Sequence, residues 1–247
     1  MEAVEEQGQA VAAKQGQIKI TVCLSLSGIA EGGQGVYDEF QKQISEMEAN
    51  ATLGERKCEM GQVGCRGYCS RDVLVDVYVP GEPRVTYEKV KPAMVKNILN
   101  DHIVGGKVFK KAASKEDYYT TLEKQTRVAL EHGGAIDPES IDEYIKVGGY
   151  ESLKKVLTTM KSDEVIAEIK KSGLRGKGGG GFVTANKWEK AAKAPTDEKG
   201  TRYIMVNGDE GNPASYMDRS VMEGNPHQVI EGLLIGAYAI GATEGII

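Results

Sequence analysis

The sequence predicts an α/β protein in two parts: a small N-terminal α/β domain, then a region where helices flank a glycine-rich loop and a short strand. Three observations carry this. Ile18 to Leu24 (IKITVCL) and Val73 to Val79 (VLVDVYV) are β-branched, largely apolar runs of strand length. Between them, Val36, Phe40, Ile44 and Met47 recur on one face of a helical repeat. Further on, SGLRGKGGGGFVTANKW, from Ser172 to Trp188, places six glycines in the nine positions Gly173 to Gly181.

Residues 1–17 read as a polar leader. Ile18 to Leu24 alternates apolar and polar side chains and is expected to form a strand ending at Cys23, followed by a glycine-dotted loop. Val36 to Met47 forms a helix, Glu55 to Met60 a second strand, and a cysteine loop follows. Val73 to Val79 is a strand stopped by Pro80-Gly81, and Lys89 to Leu99 is helical. The order β-α-β-β-α closes a first domain over 18–108. The charged stretch KVFKKAASKEDYYTTLEKQT reads as a linker, and the linker-or-helix region covers 109–135.

A second domain covers 136–247. Asp137 is placed as N-cap of a helix over Pro138–Lys146, and Tyr150 to Met160 is the next helix. Ser162 is placed as cap of Asp163 to Lys171, with Val165, Ile166 and Ile169 on one face and Gly173 just past its end. Tyr203 to Val206 (YIMV) reads as a short buried strand delivering Asn207-Gly208-Asp209-Glu210. Val229 to Ile247 is apolar, but Glu231, Glu244 and four glycines break it. A buried helix followed by a strand fits better than a membrane span.

A formal net charge of −5 over 247 residues, with few aromatics, excludes a sequence-independent grip on nucleic acid. The opening residues lack a secretory signal, so a cytoplasmic protein is expected. The four cysteines, Cys23, Cys58, Cys65 and Cys69, all lie in the first third. In a reducing compartment such a cluster points to metal more than to disulfides.

Glycine lets backbone amides approach a ligand with no Cβ in the way. A run of such amides ahead of a helix makes an anion site, and Lys177 and Lys187 add positive charge. The matching guest is a phosphate of a nucleotide or flavin. The loop lacks the Gly-Lys-Ser/Thr ending of a P-loop and follows a helix rather than a strand. In VNGDEGNPASYMDR, the cluster of Asn207, Asp209 and Glu210 suits hydrogen bonds to ribityl hydroxyls or ring nitrogens. The C-x3-C pair Cys65 and Cys69 can bind an iron–sulfur cluster or zinc, with Cys23 joining. His102, His132 and His227 lack helical pairing and read as structural or exposed. No nucleophile–base couple or pair of catalytic carboxylates stands out.

The combination SGLRGKGGGGF…KW, VNGDEGNP and DRSVMEGNPHQVIEGLLIGAYAIGA resembles the flavin-containing, NADH-oxidising subunit of respiratory complex I. It is similar above all to the β-subunits of soluble NAD-linked, electron-bifurcating [FeFe] hydrogenases. GIAEGGQGVYDEF and GCRGYCSRDVLVDVYVPG resemble the thioredoxin-like [2Fe–2S] ferredoxin domain that opens those subunits. The resemblance runs from Ile18 onward. It implies a thioredoxin-like domain followed by the start of a Rossmann-like FMN/NADH-binding α/β domain. It further implies that Gly176, Lys177, Gly178, Gly179, Gly180 and Gly181 cradle FMN, completed by Lys187, Asn207, Asp209 and Glu210. Phe182 would stack near the dinucleotide. Cys23, Cys65 and Cys69 would be cluster ligands. The expected partners are ferredoxin-like and hydrogenase or dehydrogenase subunits of one redox complex, with NAD(H) or NADP(H) as the soluble donor or acceptor.

The sequence departs from that family at several positions. The family's C-x4-C reaches Gly28 here, so one cluster ligand is missing and the [2Fe–2S] cluster is expected to be absent or labile, with Cys58 a substitute back on a strand. Asn212 stands where the family has an acidic residue near the nicotinamide, and Lys190 where it often has an aromatic. The loop's usual Arg, Pro and Gly are Lys177, Val183 and Ala185. These departures motivate an alternative, a degenerate paralogue serving as a non-catalytic scaffold. Structural zinc on the cysteines is a further one.

Overall fold

The computed structural model describes residues 17–247 apart from Asp197, Lys199, Pro213 and Ala214. The leader read at 1–17 lies outside them except for Gln17. The described chain is a mixed α/β structure of two compact units. One runs to Val147 and takes in Tyr216–Asn225; the other holds Gly148–Ser215 and Pro226–Ile247.

The first unit is built on a four-stranded sheet in the order β2-β1-β3-β4. Its strands are β1 (Gln17–Cys23), β2 (Lys57–Val63), β3 (Val75–Tyr78) and β4 (Val85–Tyr87). β1 pairs parallel with β2 and antiparallel with β3, and β3 pairs antiparallel with β4. This is the strand arrangement expected of a thioredoxin-like domain. Two helices follow β1: α1 (Leu26–Ala30), capped by Ser25 through Gly28 N, and α2 (Gly33–Ala49). α1 lies where a glycine-dotted loop was expected. Val36, Phe40 and Ile44 of α2 are buried against Ile18, Ile20, Val22 and Val75, as the helical face predicts. α3 (Pro92–Ile98) continues into one π-helical turn over Leu99–Val104, and both bury apolar side chains in the same core.

The sequence pattern does not show β4, so the observed order has one more strand than the β-α-β-β-α expected. The charged stretch read as a linker is also structured. α4 (Glu116–Glu123) buries Tyr118 completely, and Ala112 joins the main core. α5 (Ile141–Lys146) starts later than read from sequence: Ser140, rather than Asp137, accepts from the Glu143 amide. Asp137 instead opens the turn ahead of α5, its side chain accepting from Glu139 N and its carbonyl from Ser140 N.

The π-helical turn carries a testable consequence. His102 Nδ1 lies 2.9 Å from the Tyr87 hydroxyl, while its buried Nε2 has no hydrogen-bond partner among the described residues. Burial holds the imidazole below its ordinary pKa, against a smaller opposing pull from Glu82. The folded pKa is thus below the unfolded value of about 6.5. The stabilisation is complete above that pH and is lost as pH falls through it toward the folded value. Urea midpoints should therefore fall between pH 7.5 and 5, and the fall should shrink in His102→Gln.

The second unit packs α6 (Glu151–Thr159), α7 (Ser162–Ser172) and α8 (Thr184–Lys193) against the long helix α10 (Pro226–Ile240). α9 (Met217–Gly224) belongs to the first unit. The core of the second unit is Val156, Val165, Ile166, Ala185 and Ala239, with Trp188 and Ile235 packed on it. Gly236 lets β5 and Trp188 pack closely on α10: a Cβ there would stand 2.6 Å from Ile204 Cδ1 and 3.1 Å from Trp188 Cζ2. Glu231 of α10, 8% exposed, accepts from the amides of Tyr150 and Leu153 and so supplies the start of α6 with a carboxylate. α7 is not capped by Ser162: Glu164 accepts from Lys161 N, and Ser162 donates to Tyr238 O. Gly173, with φ +70°, ends α7 as the sequence predicts. β5 (Tyr203–Met205) pairs parallel with β6 (Glu244–Ile246). β5 was expected to be buried, yet Met205 is 69% exposed. Among the described residues this sheet has only two strands, which cannot cover β5. No helix among the described residues is long and apolar enough to cross a membrane.

Candidate functional site: a glycine cradle and a cysteine pocket

The glycine run is shaped by its base. Arg175 and Val183 form an antiparallel bridge, with Gly176 N donating to Phe182 O at 2.8 Å and Thr184 N to Leu174 O at 3.0 Å. Arg175 Nη1 also donates to Gly181 O at 3.1 Å. Sequence reading did not single Arg175 out as a site residue; its only signal was its place opposite the end of the loop. At the tip Gly178 to Gly180 are exposed and Gly181 is half-buried, and a Cβ built at any of the four would meet no atom within 4 Å. Gly179 and Gly181 have φ of +96° and +57°, which side chains rarely adopt.

The loop opens directly into the N-terminus of α8. Val183 offers no side-chain cap, and the first turn holds no acidic residue. Thr184 N is taken by Leu174 O, so the amides left for an anion are those of Ala185 and Asn186. Lys177 and Lys187 are exposed on the loop and on α8. These residues fit the phosphate end of a flavin mononucleotide: open space along four glycines, free amides, and positive charge.

Phe182 is half exposed, and Lys190 Nζ sits 5.7 Å from its ring centroid. The lysine noted as a departure thus occupies a face of the very ring the resemblance assigns to the dinucleotide. Asn207, Asp209 and Glu210 follow β5 in a tight turn. Asn207 Oδ1 accepts from Asp209 N, Glu210 has φ +47°, and Ser215 Oγ lies 3.5 Å from Glu210 Oε1. Asn207, Asp209 and Asn212 are exposed.

In the first unit, Cys65 Sγ and Cys69 Sγ are 3.7 Å apart, and Gly67 N donates to Cys65 Sγ. Cys23 is buried at the C-terminal end of β1, 3.3 Å from Ser25 Oγ. Burial, followed by the charge of Asp72, pushes the Cys23 thiol up to about 11. Cys58 corrects the sequence reading. It pairs with Ile18, five positions along β1 from Cys23, which at strand rise is about 16 Å away. Its side chain packs on the main core, so it is no substitute ligand. The sequence also gave no sign of Asp72, which is buried, so that its carboxyl is held above the usual carboxylate range. His102 and His227 each meet a tyrosine hydroxyl, of Tyr87 and Tyr150 respectively, in keeping with structural roles.

Residues 169–247 match the family model of the Nuo51 FMN-binding domain. A relative, the NADP-reducing hydrogenase subunit HndC of Solidesulfovibrio fructosivorans, is 53% identical over 128 residues, 52% of this chain and 25% of its own. This part of the chain is similar to Nuo51 FMN-binding domains. An NADH-quinone oxidoreductase subunit from Aquifex aeolicus is 48% identical over 108 residues, 44% of this chain and 24% of its own. The chain thus spans about a quarter of the length of the curated relatives it matches. Among solved structures, a thioredoxin-like [2Fe–2S] ferredoxin from Aquifex aeolicus aligns with 40% of this chain and 98% of its own at 21% identity, with a TM-score of 0.35. The Nuo51 match takes in the end of α7, the whole glycine cradle, the Asn207–Asn212 turn and α10.

Proposed function

We propose that this chain is part of a flavoprotein electron-transfer subunit. It would exchange a hydride between NAD(P)(H) and FMN, and feed or draw electrons through iron–sulfur clusters of a multi-subunit oxidoreductase. The observation that carries the reading is the four-glycine tip, open along its whole length and set ahead of an uncapped helix. FMN supplies the needed chemistry, accepting two electrons as a hydride and releasing them singly. On this reading Gly176 to Gly181 and the first amides of α8 hold the phosphate, with Lys177 and Lys187 balancing its charge. Asn207, Asp209 and Glu210 bind the ribityl hydroxyls or ring nitrogens, and Phe182 and Asn212 border the dinucleotide. The reading also places a ferredoxin-type domain at 18–108 and the flavin domain at 136–247, in a cytoplasmic complex with ferredoxin-like and hydrogenase or dehydrogenase subunits.

A second reading, a scaffold that no longer binds dinucleotide, draws on Lys190 covering Phe182. One assay separates the two. The full-length protein, isolated with its partners, should be yellow, contain FMN, and reduce a one-electron dye with NADH or NADPH. An intact complex that carries no flavin and reduces no dye with either donor would contradict the enzyme and support the scaffold.

A further inference from the structure

The loop from Cys65 to Cys69 brings two thiols together in the first unit. Their sulfurs lie 3.7 Å apart. A disulfide needs about 2.05 Å, so the sulfurs have to close by roughly 1.6 Å, within reach of small side-chain rotations. Gly67, between them, has φ +82°, a left-handed turn that side chains rarely adopt. Among the described residues no third His, Cys, Asp or Glu gathers with the pair as a metal site needs.

The two thiols are unequal. Cys65 is 6% exposed, and its backbone is packed: a Cβ at Gly133 would stand 3.0 Å from its carbonyl oxygen, and one at Gly224 3.2 Å. Its sulfur accepts from Gly67 N. Cys69 is exposed, at the start of the single 3-10 turn Cys69–Arg71. The residues between are tied to the body of the unit, Arg66 by its ion pair with Asp76 and Tyr68 by its edge-on contact with Tyr118. The pair is thus held together, with one thiol open to solvent and the other beside it. That is the arrangement of a two-step thiol–disulfide exchange. Partial burial, then Cys65, holds the Cys69 thiol above its ordinary pKa, which sets the rate of the first step rather than where the exchange ends.

Neither of the other cysteines is so placed. Cys23 is 1% exposed, with its sulfur against Ser25 Oγ and Gly64 O. Cys58, on β2, packs against the main core.

We propose that Cys65 and Cys69 form a reversible redox site, a dithiol that a small-molecule disulfide closes to a Cys65–Cys69 disulfide. Cys69 Sγ first attacks the oxidant. The oxidant's S–S bond breaks, a mixed disulfide forms on Cys69, and one small thiol leaves with the proton. Cys65 Sγ then attacks Cys69 Sγ and releases the second small thiol. The two cysteines give up two electrons and two protons, and the oxidant takes them. Closure withdraws the loop from any role that needs free thiolates, so the first unit registers the thiol–disulfide balance around it. The site lies in the first unit alone and is independent of the flavin reading.

The test uses the 247-residue chain, stripped of metal by a chelator under anaerobic conditions, equilibrated with glutathione disulfide and mapped by mass spectrometry. Of its four thiols two should be lost, in a peptide linked from Cys65 to Cys69, and dithiothreitol should restore both. Cys23→Ser and Cys58→Ser should close as the wild type does. Cys65→Ser should stop at the first step and carry glutathione on Cys69. Because the second step is intramolecular, that adduct should be at least about tenfold more abundant than in the wild type. Cys69→Ser should form no linked peptide and react with glutathione disulfide at least about tenfold more slowly, since Cys65 is buried. Should Cys65→Ser fail to fold by circular dichroism, Cys65→Ala, which buries no hydroxyl, carries the same expectation. The proposal is overturned by a wild-type chain that keeps all four thiols, or by a linkage through Cys23 or Cys58. Loss of the linkage in Cys23→Ser or Cys58→Ser, or a folded Cys65 variant with no glutathione on Cys69, would overturn it equally.

Discussion

Replacing Gly179 and Gly181 together by valine should strip FMN from the full-length protein while leaving its fold intact. Both glycines have positive φ, where a β-branched residue is strained, and both point a bare Cα into the open cradle. Valine would turn amides away from the phosphate and place methyl groups in its space. Each hydrogen bond to a charged group contributes about 1.5–3 kcal/mol. Losing two weakens binding by roughly a hundredfold or more. The core is spared because a Cβ at either position meets no atom within 4 Å. Flavin fluorescence titration of the full-length variant measures the loss, and circular dichroism checks the fold. Tight FMN binding in the double variant would remove the cradle from the flavin site.

The second large effect is on stability, at the pair that holds the cysteine loop. Arg66, between Cys65 and Gly67, reaches Asp76 at 2.8 Å with both side chains buried. Arg66 also donates to Tyr118 Oη and Gly134 O, and Asp76 accepts from Thr86 Oγ1 at 2.6 Å. Burial works to raise the Asp76 pKa. It is outweighed by Arg66 and Arg84, which hold the carboxyl below its usual range. Asp76→Ala leaves the Arg66 guanidinium buried and uncompensated, and should cost about 3–5 kcal/mol. Removing both charges, as in Arg66→Met with Asp76→Ala, should recover much of that loss, because the penalty lies in the orphaned charge. Urea unfolding of the four proteins in the cycle reads this directly; additive losses would contradict it. The wild-type contribution is full above the unfolded carboxylate pKa of about 3.9. It disappears as pH falls through the depressed folded value.

Much of this architecture is legible in the residues. Ile18 to Cys23 and Val75 to Tyr78 form strands because Ile18, Ile20, Val22, Val75 and Val77, at alternate positions, fill the core face of the sheet. Val36, Phe40 and Ile44 are buried at the helical spacing that predicts it. β4 is hidden in the sequence because three residues, Val85 to Tyr87, are too few to show a period; pairing with β3 makes them a strand. Tyr118 reads as part of a charged linker because lysines and glutamates surround it, yet one buried ring is enough to anchor α4. The glycine run is legible as an open loop ahead of a helix, because glycine adopts positive φ without strain, as Gly179 and Gly181 do. Asp72 is not. A single aspartate three positions beyond a C-x3-C pair has no pattern of its own, and only the fold buries it.

The central claim is that the amides of Gly178 to Gly181 wrap the phosphate of a flavin mononucleotide. A structure of the full-length protein in its complex with cofactor bound tests it most directly. The account predicts phosphate oxygens within hydrogen-bond distance of those amides and of the first turn of α8. Finding the loop closed on itself, with the flavin phosphate seated elsewhere, would contradict it.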